Sequence, residues 1–189
     1  MPRVGLTAER VIAEAGSVAD DAGLDRLTLA AVAQRCGVTL PGLYKHVSGL
    51  DEVKRGIAIA AIRALTGRIA AAAAGVSGRE ALGAVSAAYR DYARAHPGRY
   101  AASVRAPASG DQEYADVTNQ ALAVISAALK GYRLEGADLV HAIRMWRAVC
   151  HGLVSLQIAG GFGLPESVDE TFEFLIDALD RAFRQRSAH

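Results

Sequence analysis

The residues with the clearest potential for chemistry lie in one short stretch, TLPGLYKHVSGLDE, at positions 39–52. Tyr44, Lys45 and His46 follow one another there and offer a hydroxyl, an ammonium and an imidazole, which can donate hydrogen bonds to phosphate oxygens or to base edges. A solvated surface helix would account for each of these side chains alone. It accounts poorly for the three together, so the stretch is a candidate nucleic-acid interface.

The start of the same stretch has the features of a short helix that lies against another surface. Thr39 can cap this helix, which leaves its hydroxyl and the first backbone N–H groups near a bound phosphate. Pro41 is tolerated in the first turn because its missing N–H has no helical partner there. Gly42 has no side chain, so the backbone can lie close to a surface such as the floor of a DNA groove.

The residues before this helix predict the element that positions it. Ala33 is small, Gly37 follows four residues later where the chain must turn, and Leu43 lies ten residues after Ala33. Residues of these types at this spacing are typical of a helix-turn-helix, in which Val38 and Leu43 attach the second helix to the first. Other helical hairpins share the spacing, so the outward side chains are needed to favour this interpretation.

Together these residues resemble a known family. The segment LTLAAVAQRCGVTLPGLYKHVSGLDEV, residues 27–53, is similar to the N-terminal DNA-binding domain of the tetracycline-repressor (TetR) family. The resemblance implies a helix-turn-helix domain over residues 1–50, whose recognition helix enters the major groove while flanking side chains contact the DNA backbone. The candidate DNA-binding residues are Thr28, Thr39, Leu40, Pro41, Gly42, Tyr44, Lys45 and His46.

Two positions depart from the family pattern. Most members carry an aromatic residue where Val47 stands, and most carry a phosphate-binding lysine where Leu50 stands. One phosphate contact is then either missing or shifted to Lys54 or Arg55. Each lost phosphate contact lowers the slope of log K against log salt concentration by about one unit.

The chain as a whole predicts an all-α fold of about nine helices, because apolar residues recur at helical spacing and strands of alternating polarity are missing. Capping boxes open two of the helices, at Ser77 to Glu80 and at Ser167 to Glu170. The most loop-like segment is APASGDQ. The predicted helices cover residues 7–22, 28–36, 39–47, 48–74, 77–96, 99–105, 112–130, 137–159 and 167–185.

The last two helices predict a homodimer. The segment at 137–159 is apolar over most of its circumference, and the ninth helix adds a nearly heptad apolar seam. That is more apolar surface than one small domain needs, so a four-helix bundle between two copies is expected. Two-fold symmetry would place the recognition helices about 34 Å apart, or a multiple of that, over a palindromic site. The candidate interface residues are Leu153, Leu156, Phe172, Leu175, Leu179 and Phe183.

The C-terminal part also resembles a subclass of the same family that carries a Trp and a His-Gly pair, here Trp146 and His151-Gly152. The resemblance implies that residues 51–189 form an effector-binding and dimerisation domain, whose pocket is coupled to the distance between the DNA-binding heads. An apolar wall with isolated polar groups would suit a small apolar or aromatic effector. Each candidate has a place in the core as its alternative role. The candidates are Tyr89, Tyr92, Tyr100, Met145, Trp146, His151 and Phe162.

Enzyme chemistry and a metal site fit the sequence poorly. Asp138-x-x-His141 is half of a helical metal site, but a di-metal centre in a bundle needs Glu-x-x-His motifs, and the chain has none. Cys150 and His151 are neighbours on a helix and point about 100° apart, so they do not converge. No cofactor is expected. Cys36 and Cys150 are expected to be free thiols in a reducing cytoplasm.

The composition favours a cytoplasmic protein with a packed core, since 51% of the residues are hydrophobic, 22% are charged, and no uncharged apolar run reaches the length of a membrane span. Residues 61–105 carry seven arginines and two acids, whereas 111–180 carry eleven acids, which favours one anion-facing end. We expect a ligand-responsive transcriptional regulator, a repressor released from operator DNA by its effector. The alternative is a helical small-molecule-binding protein that does not bind DNA.

Overall fold

The computed structural model describes residues 5–186, and the regular elements within this range are all helical, as the sequence predicts. The sixth helix begins at Pro97 rather than after it, because proline is favoured at the first position of a helix. Short 3-10 turns lie at Leu24–Arg26 and Lys130–Tyr132. The α-helices are α1 (Ala8–Ala22), α2 (Leu29–Cys36), α3 (Leu40–Leu43), α4 (Leu50–Ala73), α5 (Gly78–Ala95), α6 (Pro97–Ser103), α7 (Gln112–Ala128), α8 (Gly136–Ile158) and α9 (Val168–Arg186).

Side-chain caps fix the starts of the first three helices. Thr7, Thr28 and Thr39 each accept a hydrogen bond from the backbone N–H three residues later, at 3.2, 3.2 and 3.3 Å. Gly37 ends α2 with a φ of 69°, a left-handed conformation that glycine adopts without steric strain. The chain can therefore turn sharply from α2 into α3. These signals are local in sequence, which is why their positions agree with the prediction.

The chain divides into two compact units. One contains the chain up to Arg63 together with Ala95–Ala115, and the other contains Ala64–Arg94 together with the chain from Asp116 onward. The helices α4 and α7 each begin in the first unit and end in the second. The functional boundary expected after residue 50 remains a prediction. The compact units divide the chain elsewhere because α6, far along the sequence, packs on α1.

In the first unit, the apolar faces of α1, α2, α3 and the first turns of α4 form the core. Gly98 of α6 lies so close to the backbone of α1 that a Cβ atom there would come within 2.1 Å of it. The neighbouring Arg99 donates hydrogen bonds to the Ala13 carbonyl and the Ser17 hydroxyl, at 3.0 Å each, and pairs with the Asp20 carboxylate. The buried core residues are Val11, Ala15, Ala19, Leu27, Val32, Ala33, Leu43, Val47, Val53 and Ile57.

The second unit contains a buried arginine that joins three of its helices. Arg90 of α5 is 8% exposed, and its Nε atom donates to the Gln157 side chain at 2.8 Å. Its Nη2 atom lies 2.6 Å from Asp169, and its guanidinium lies 5.0 Å from the centre of the Phe172 ring. A charge this deeply buried is tolerated only when it is paired. Arg90 therefore fixes the end of α8 and the start of α9 against α5.

Among the described residues, α4 is a helix long and apolar enough to cross a membrane by length and composition alone. Its sequence nevertheless includes Arg63 and Arg68 in the middle of the helix, and Val53, Ile57 and Ile69 are buried. An apolar helix that carries charges and buries several of its aliphatic side chains has the pattern of a core helix.

Replacing Gly98 by alanine should destabilise the protein, because the added Cβ would meet the α1 backbone, which cannot move aside cheaply. We expect Gly98→Ala to lower the free energy of unfolding by about 1–3 kcal/mol, measured by urea denaturation. Gly67→Ala in α4 is the matched control, since its Cβ would meet open space. The control should leave stability unchanged or raise it by up to about 1 kcal/mol. Equal stability of the two variants would contradict the close α1–α6 contact.

Candidate DNA interface and effector region

The recognition segment, which we define as residues 39–47, is built around two buried aliphatic side chains. Leu43 and Val47 are 0 and 3% exposed and lie one turn apart, so the side chains between them point away from the core. The helix predicted over this segment is shorter in the structure, since α3 ends at Leu43. The next residues form a tighter turn, in which the His46 N–H donates to the Leu43 carbonyl at 2.9 Å.

All eight predicted DNA-binding residues lie at the surface. Tyr44 is 53% exposed and Leu40 38%, and His46 is half-buried. The hydroxyl oxygens of Thr28 and Thr39 already accept backbone N–H groups, but each hydroxyl hydrogen remains available to donate to a phosphate. The surface thus presents the groups that the sequence singles out, and their contacts with DNA remain predictions.

The first turn of α4 is held by the carboxylate of Glu52, two residues after Leu50, the position where the resemblance implies a lysine. One oxygen of Glu52 accepts the Ser48 hydroxyl at 2.6 Å and the Ser48 N–H at 2.5 Å, and these bonds lower the pKa of the Glu52 carboxyl. Leu50 lies between them in the sequence and is half-buried. Both donors of Ser48 are therefore occupied by Glu52, and this turn carries no cation that could bind a phosphate.

Of the two cations that could replace the missing lysine, Arg55 is already engaged. Its Nε and Nη2 atoms donate to the two oxygens of Asp111 at 2.6 Å each, and Nη2 also donates to Glu113 at 2.9 Å. Hydrogen bonds from Arg55 lower the pKa of both carboxyls. Lys54, which is half-buried and points to a different side of α4, is the better candidate for a phosphate contact.

The candidate effector residues include one buried aromatic cluster, between α5 and α8. The indole N–H of Trp146 donates to the Ser86 hydroxyl at 2.8 Å, and that hydroxyl donates to the Leu82 carbonyl at 2.6 Å. The ring of Tyr89 meets Trp146 edge to face, with 5.4 Å between the ring centres. Burial raises the pKa of the nearby Cys150 thiol to about 12. The cluster is packed, and the indole N–H and the Ser86 hydroxyl are both hydrogen-bonded.

The remaining effector candidates lie in several places. Met145 precedes Trp146 in the sequence but is 44% exposed, because it lies about 100° around α8. Phe162 is 38% exposed in the loop after α8, whereas Tyr92 and Tyr100 are buried, the latter in the first unit. Met145 and Phe162 are thus surface residues and not part of the buried cluster. Met145 lines a groove of about 540 Å³ with Leu134, Asp138, His141, Ala142, Ala182, Phe183, Gln185 and Arg186.

The polar effector candidate, His151, occupies a mixed environment. Its ring lies 3.4 Å from the hydroxyl of Ser155, one turn later on α8, and it is half-buried.

Asp138 and His141, which form half of a helical metal site in the sequence, lie at the start of α8. There Asp138 accepts a hydrogen bond from Arg186 at 2.7 Å, which joins α8 to the end of α9. Among residues 5–186, no three His, Cys, Asp or Glu side chains come together as a metal site would require.

The predicted dimer residues need a correction, because most of them serve the core of their own chain. Leu153, Phe172, Leu179 and Phe183 are each at most 7% exposed, so they do not form an exposed face. They are covered because α9 packs on α8 and Arg90 draws its start to α5. Leu156 is 50% exposed and Leu175 is half-buried, so these two keep the predicted role as candidates. Exposed apolar residues on the same helices that lie outside the predicted interface set are Val140, Ile158 and Phe174.

The charge asymmetry along the chain has an internal explanation. Arg79 donates to Asp177 at 2.9 Å and to Glu173 at 2.7 Å. Arg90 pairs with Asp169, and Arg63 meets Glu113 at 3.2 Å. Three of the seven arginines in the arginine-rich segment are thus paired with acids of the acidic segment within the fold, which accounts for part of the asymmetry. The sequence analysis did not identify the contacts by which Arg55, Arg90 and Arg99 join distant segments of the chain.

A helix-turn-helix with an exposed recognition segment, followed by a helical C-terminal region, defines the class of HTH-type transcriptional regulators. Residues 82–179 match the family model described as tetracyclin repressor-like, C-terminal domain. The chain is 33% identical over 186 residues to the uncharacterized HTH-type transcriptional regulator Rv0681 of Mycobacterium tuberculosis, with 97% of this chain and 84% of that protein covered. The chain therefore belongs to the TetR family. It is a transcriptional regulator and not an enzyme.

One further relative agrees with this assignment, and a solved structure shows the same fold. The uncharacterized HTH-type transcriptional regulator YobS of Bacillus subtilis is 29% identical over 177 residues, which cover 93% of this chain and 91% of YobS. The crystal structure of a TetR variant from Acinetobacter baumannii AYE in complex with minocycline has the same fold, with a TM-score of 0.70 at 19% identity. That comparison covers 97% of this chain and 99% of the other. The Trp and His-Gly subclass stays a prediction.

The two thiols should differ sharply in reactivity. Cys150 is 2% exposed and burial raises its pKa to about 12, whereas Cys36 is half-buried. Burial also raises the pKa of Cys36, so exposure is what separates the two thiols. In the native protein we expect a thiol reagent to label Cys36 and to reach Cys150 only after denaturation. A Cys36→Ser variant is the control and should show no fast labelling. Fast labelling of that native variant would contradict a closed α5–α8 cluster.

Proposed function

We propose that this regulator is a cytoplasmic repressor that binds a palindromic operator as a homodimer and leaves it when a small apolar or aromatic effector binds. The observation that carries the proposal is the recognition segment. Its buried Leu43 and Val47 leave Tyr44, Lys45 and His46 at one surface beside the capped start of α3. A helix-turn-helix inserts such a segment into the major groove, and its hydroxyl and cationic side chains then reach the phosphates.

Exposed apolar side chains on α8 and α9 support a homodimer. Leu156 on α8 and Phe174 on α9 are 50 and 68% exposed. Exposed apolar residues of this size on neighbouring helices are typical of an interaction site. A second copy related by two-fold symmetry would bury them and would pair two recognition segments with the two halves of a palindrome.

A small effector is supported by the aromatic cluster and by one relative. Tyr89 and Trp146 form an apolar wall that includes the Ser86 hydroxyl, which suits an aromatic or apolar molecule. The related TetR variant from Acinetobacter baumannii contains minocycline, a small molecule, in the same fold. Binding beside Trp146 would require the packed cluster to open. That coupling between binding and rearrangement is what an effector-released repressor needs.

The direct test is a gel-shift assay on duplex DNA from the region upstream of the protein's own gene, at low salt and without effector. Retardation with a two-to-one protein-to-operator stoichiometry is the expected result. No retardation at low salt would refute the repressor proposal and would favour a helical small-molecule-binding protein that does not use DNA. A library of aromatic compounds, screened by thermal shift and then added to the gel-shift assay, tests whether an effector releases the DNA.

Tyr44 should contribute to DNA binding and not to stability, because its side chain is 53% exposed. We expect Tyr44→Ala to weaken operator binding by about tenfold, measured by fluorescence anisotropy, with an unchanged unfolding midpoint. Tyr44→Phe, which keeps the ring and loses the hydroxyl, separates a phosphate hydrogen bond from packing on the DNA backbone. A Tyr44→Ala variant that unfolds early would show instead that Tyr44 belongs to the core.

Charges placed at Leu156 and Phe174 should break the dimer. We expect Leu156→Arg combined with Phe174→Arg to convert a dimer to a monomer in light-scattering measurements, because two buried arginines would face their symmetry copies. Leu122→Arg on α7, where Leu122 is 44% exposed, is the matched control and should stay dimeric. If the double variant elutes as a dimer and the control as a monomer, the interface lies on α7 instead.

A further inference from the structure

Arg55 occupies an unusual place for a residue in a DNA-binding region, because it is bound by carboxylates from a distant segment. Its Nε and Nη2 atoms make a two-pronged contact with both oxygens of Asp111, and Nη2 also reaches Glu113. Eight residues further along α4, Arg63 meets the other oxygen of Glu113 at 3.2 Å. A bidentate arginine–carboxylate contact with added charges is the kind of ion pair that has a fixed geometry.

The acceptor side of this contact is itself held in place. Asp111 accepts the backbone N–H of Tyr114 at 3.1 Å, which caps the start of α7, and its own N–H donates to the Ala108 carbonyl at 3.1 Å. The Tyr114 hydroxyl donates to the Arg105 carbonyl at 2.9 Å, which closes the loop between α6 and α7. The Asp111 side chain is only 15% exposed. The loop therefore offers Arg55 a defined anchor point.

Arg55, the donor in this contact, lies near the start of α4, which directly follows the recognition segment in the chain. Arg55 lies five residues after Leu50, where α4 begins, and Val53 and Ile57 on either side of it are buried in the same unit. Ser48 is tied to the first turn of α4 through Glu52. A shift of the first turns of α4 would therefore carry the residues just after Tyr44–His46 with it.

We propose that Arg55 is a positioning residue for DNA binding: through Asp111 and Glu113 it fixes the start of α4, and with it the recognition segment, and it makes no phosphate contact of its own. Three of the five N–H donors of Arg55 already bind these carboxylates, and the negative charges of Asp111 and Glu113 would repel a phosphate brought beside them. The inference rests on the proposed DNA binding. It differs from the sequence expectation, in which Arg55 is one of two replacements for the missing lysine at Leu50, and it leaves Lys54 as the phosphate ligand.

A charge swap distinguishes the two roles. Operator affinity and its salt dependence are measured by anisotropy for Arg55→Asp, Asp111→Arg and the double variant, with upstream duplex DNA as the probe. Positioning predicts that each single variant binds about tenfold more weakly, whereas the double variant recovers most of the affinity because the pair is restored with opposite orientation. Lys54→Ala should instead lower the slope of log K against log salt concentration by about one unit.

Other outcomes overturn the inference. If Arg55 contacts phosphate, Asp111→Arg binds as well as the parent or better, and the double variant stays as weak as Arg55→Asp. Single variants with parental affinity would also refute a positioning role. Should a reversed charge prevent folding, Arg55→Gln, Asp111→Asn and their combination give the same cycle, in which positioning requires non-additive losses of affinity. Failure of the parent to bind any DNA would refute the proposed function itself, so the two failures are distinguishable.

Discussion

Paired arginines hold together helices that lie far apart in the sequence, and much of the fold depends on them. Arg99 joins α6 to α1, Arg55 joins α4 to the start of α7, and Arg79 joins α5 to α9. Exposed pairs contribute little stability singly, about 0–1 kcal/mol. Arg90 is different because it is 8% exposed, so loss of a partner would leave a buried charge. What the planar guanidinium adds in every case is a fixed geometry between the elements it joins.

Helix positions could be predicted from sequence because their signals are local. The threonine caps, Gly37 and the capping boxes act within one turn, and apolar periodicity does the rest. The sequence predictions fail where a helix boundary or a contact depends on residues far away in the chain, or on the preference of proline for the first position of a helix. The fifth helix ends just before Pro97, close to the predicted end, but the sixth begins at Pro97 and not at Arg99. Nothing near Pro97 in the sequence shows that Gly98 packs on α1. The grouping of α6 with the helix-turn-helix could not be predicted, because it depends on contacts about 80 residues apart in the chain.

The two candidate sites differ in the same way. The recognition segment alternates buried and exposed residues within a few positions, so its outward face could be predicted from the sequence. The effector and dimer candidates are apolar residues, and an apolar character does not say which of several neighbours a side chain meets. Leu179 and Phe183 serve the chain's own core, whereas Phe174 at 68% exposure is the residue available to a partner. Which sides of α8 and α9 are buried depends on how α5 packs against them, and the periodicity of apolar residues along a single helix does not show this.

The balance of charge around the helix-turn-helix bears on how such a head would select DNA. The first 60 residues carry seven basic and seven acidic side chains, and Arg35 is further neutralised by Asp21 and Glu14. Leu50 removes one more cation, and Arg55 is bound to carboxylates. Non-specific affinity comes almost wholly from contacts with phosphate charge, so a DNA-binding domain with this charge balance should bind DNA of unrelated sequence only weakly. Its discrimination must then come from the shape and position of the recognition segment, which explains why anchoring α4 would matter more here than in a strongly basic head.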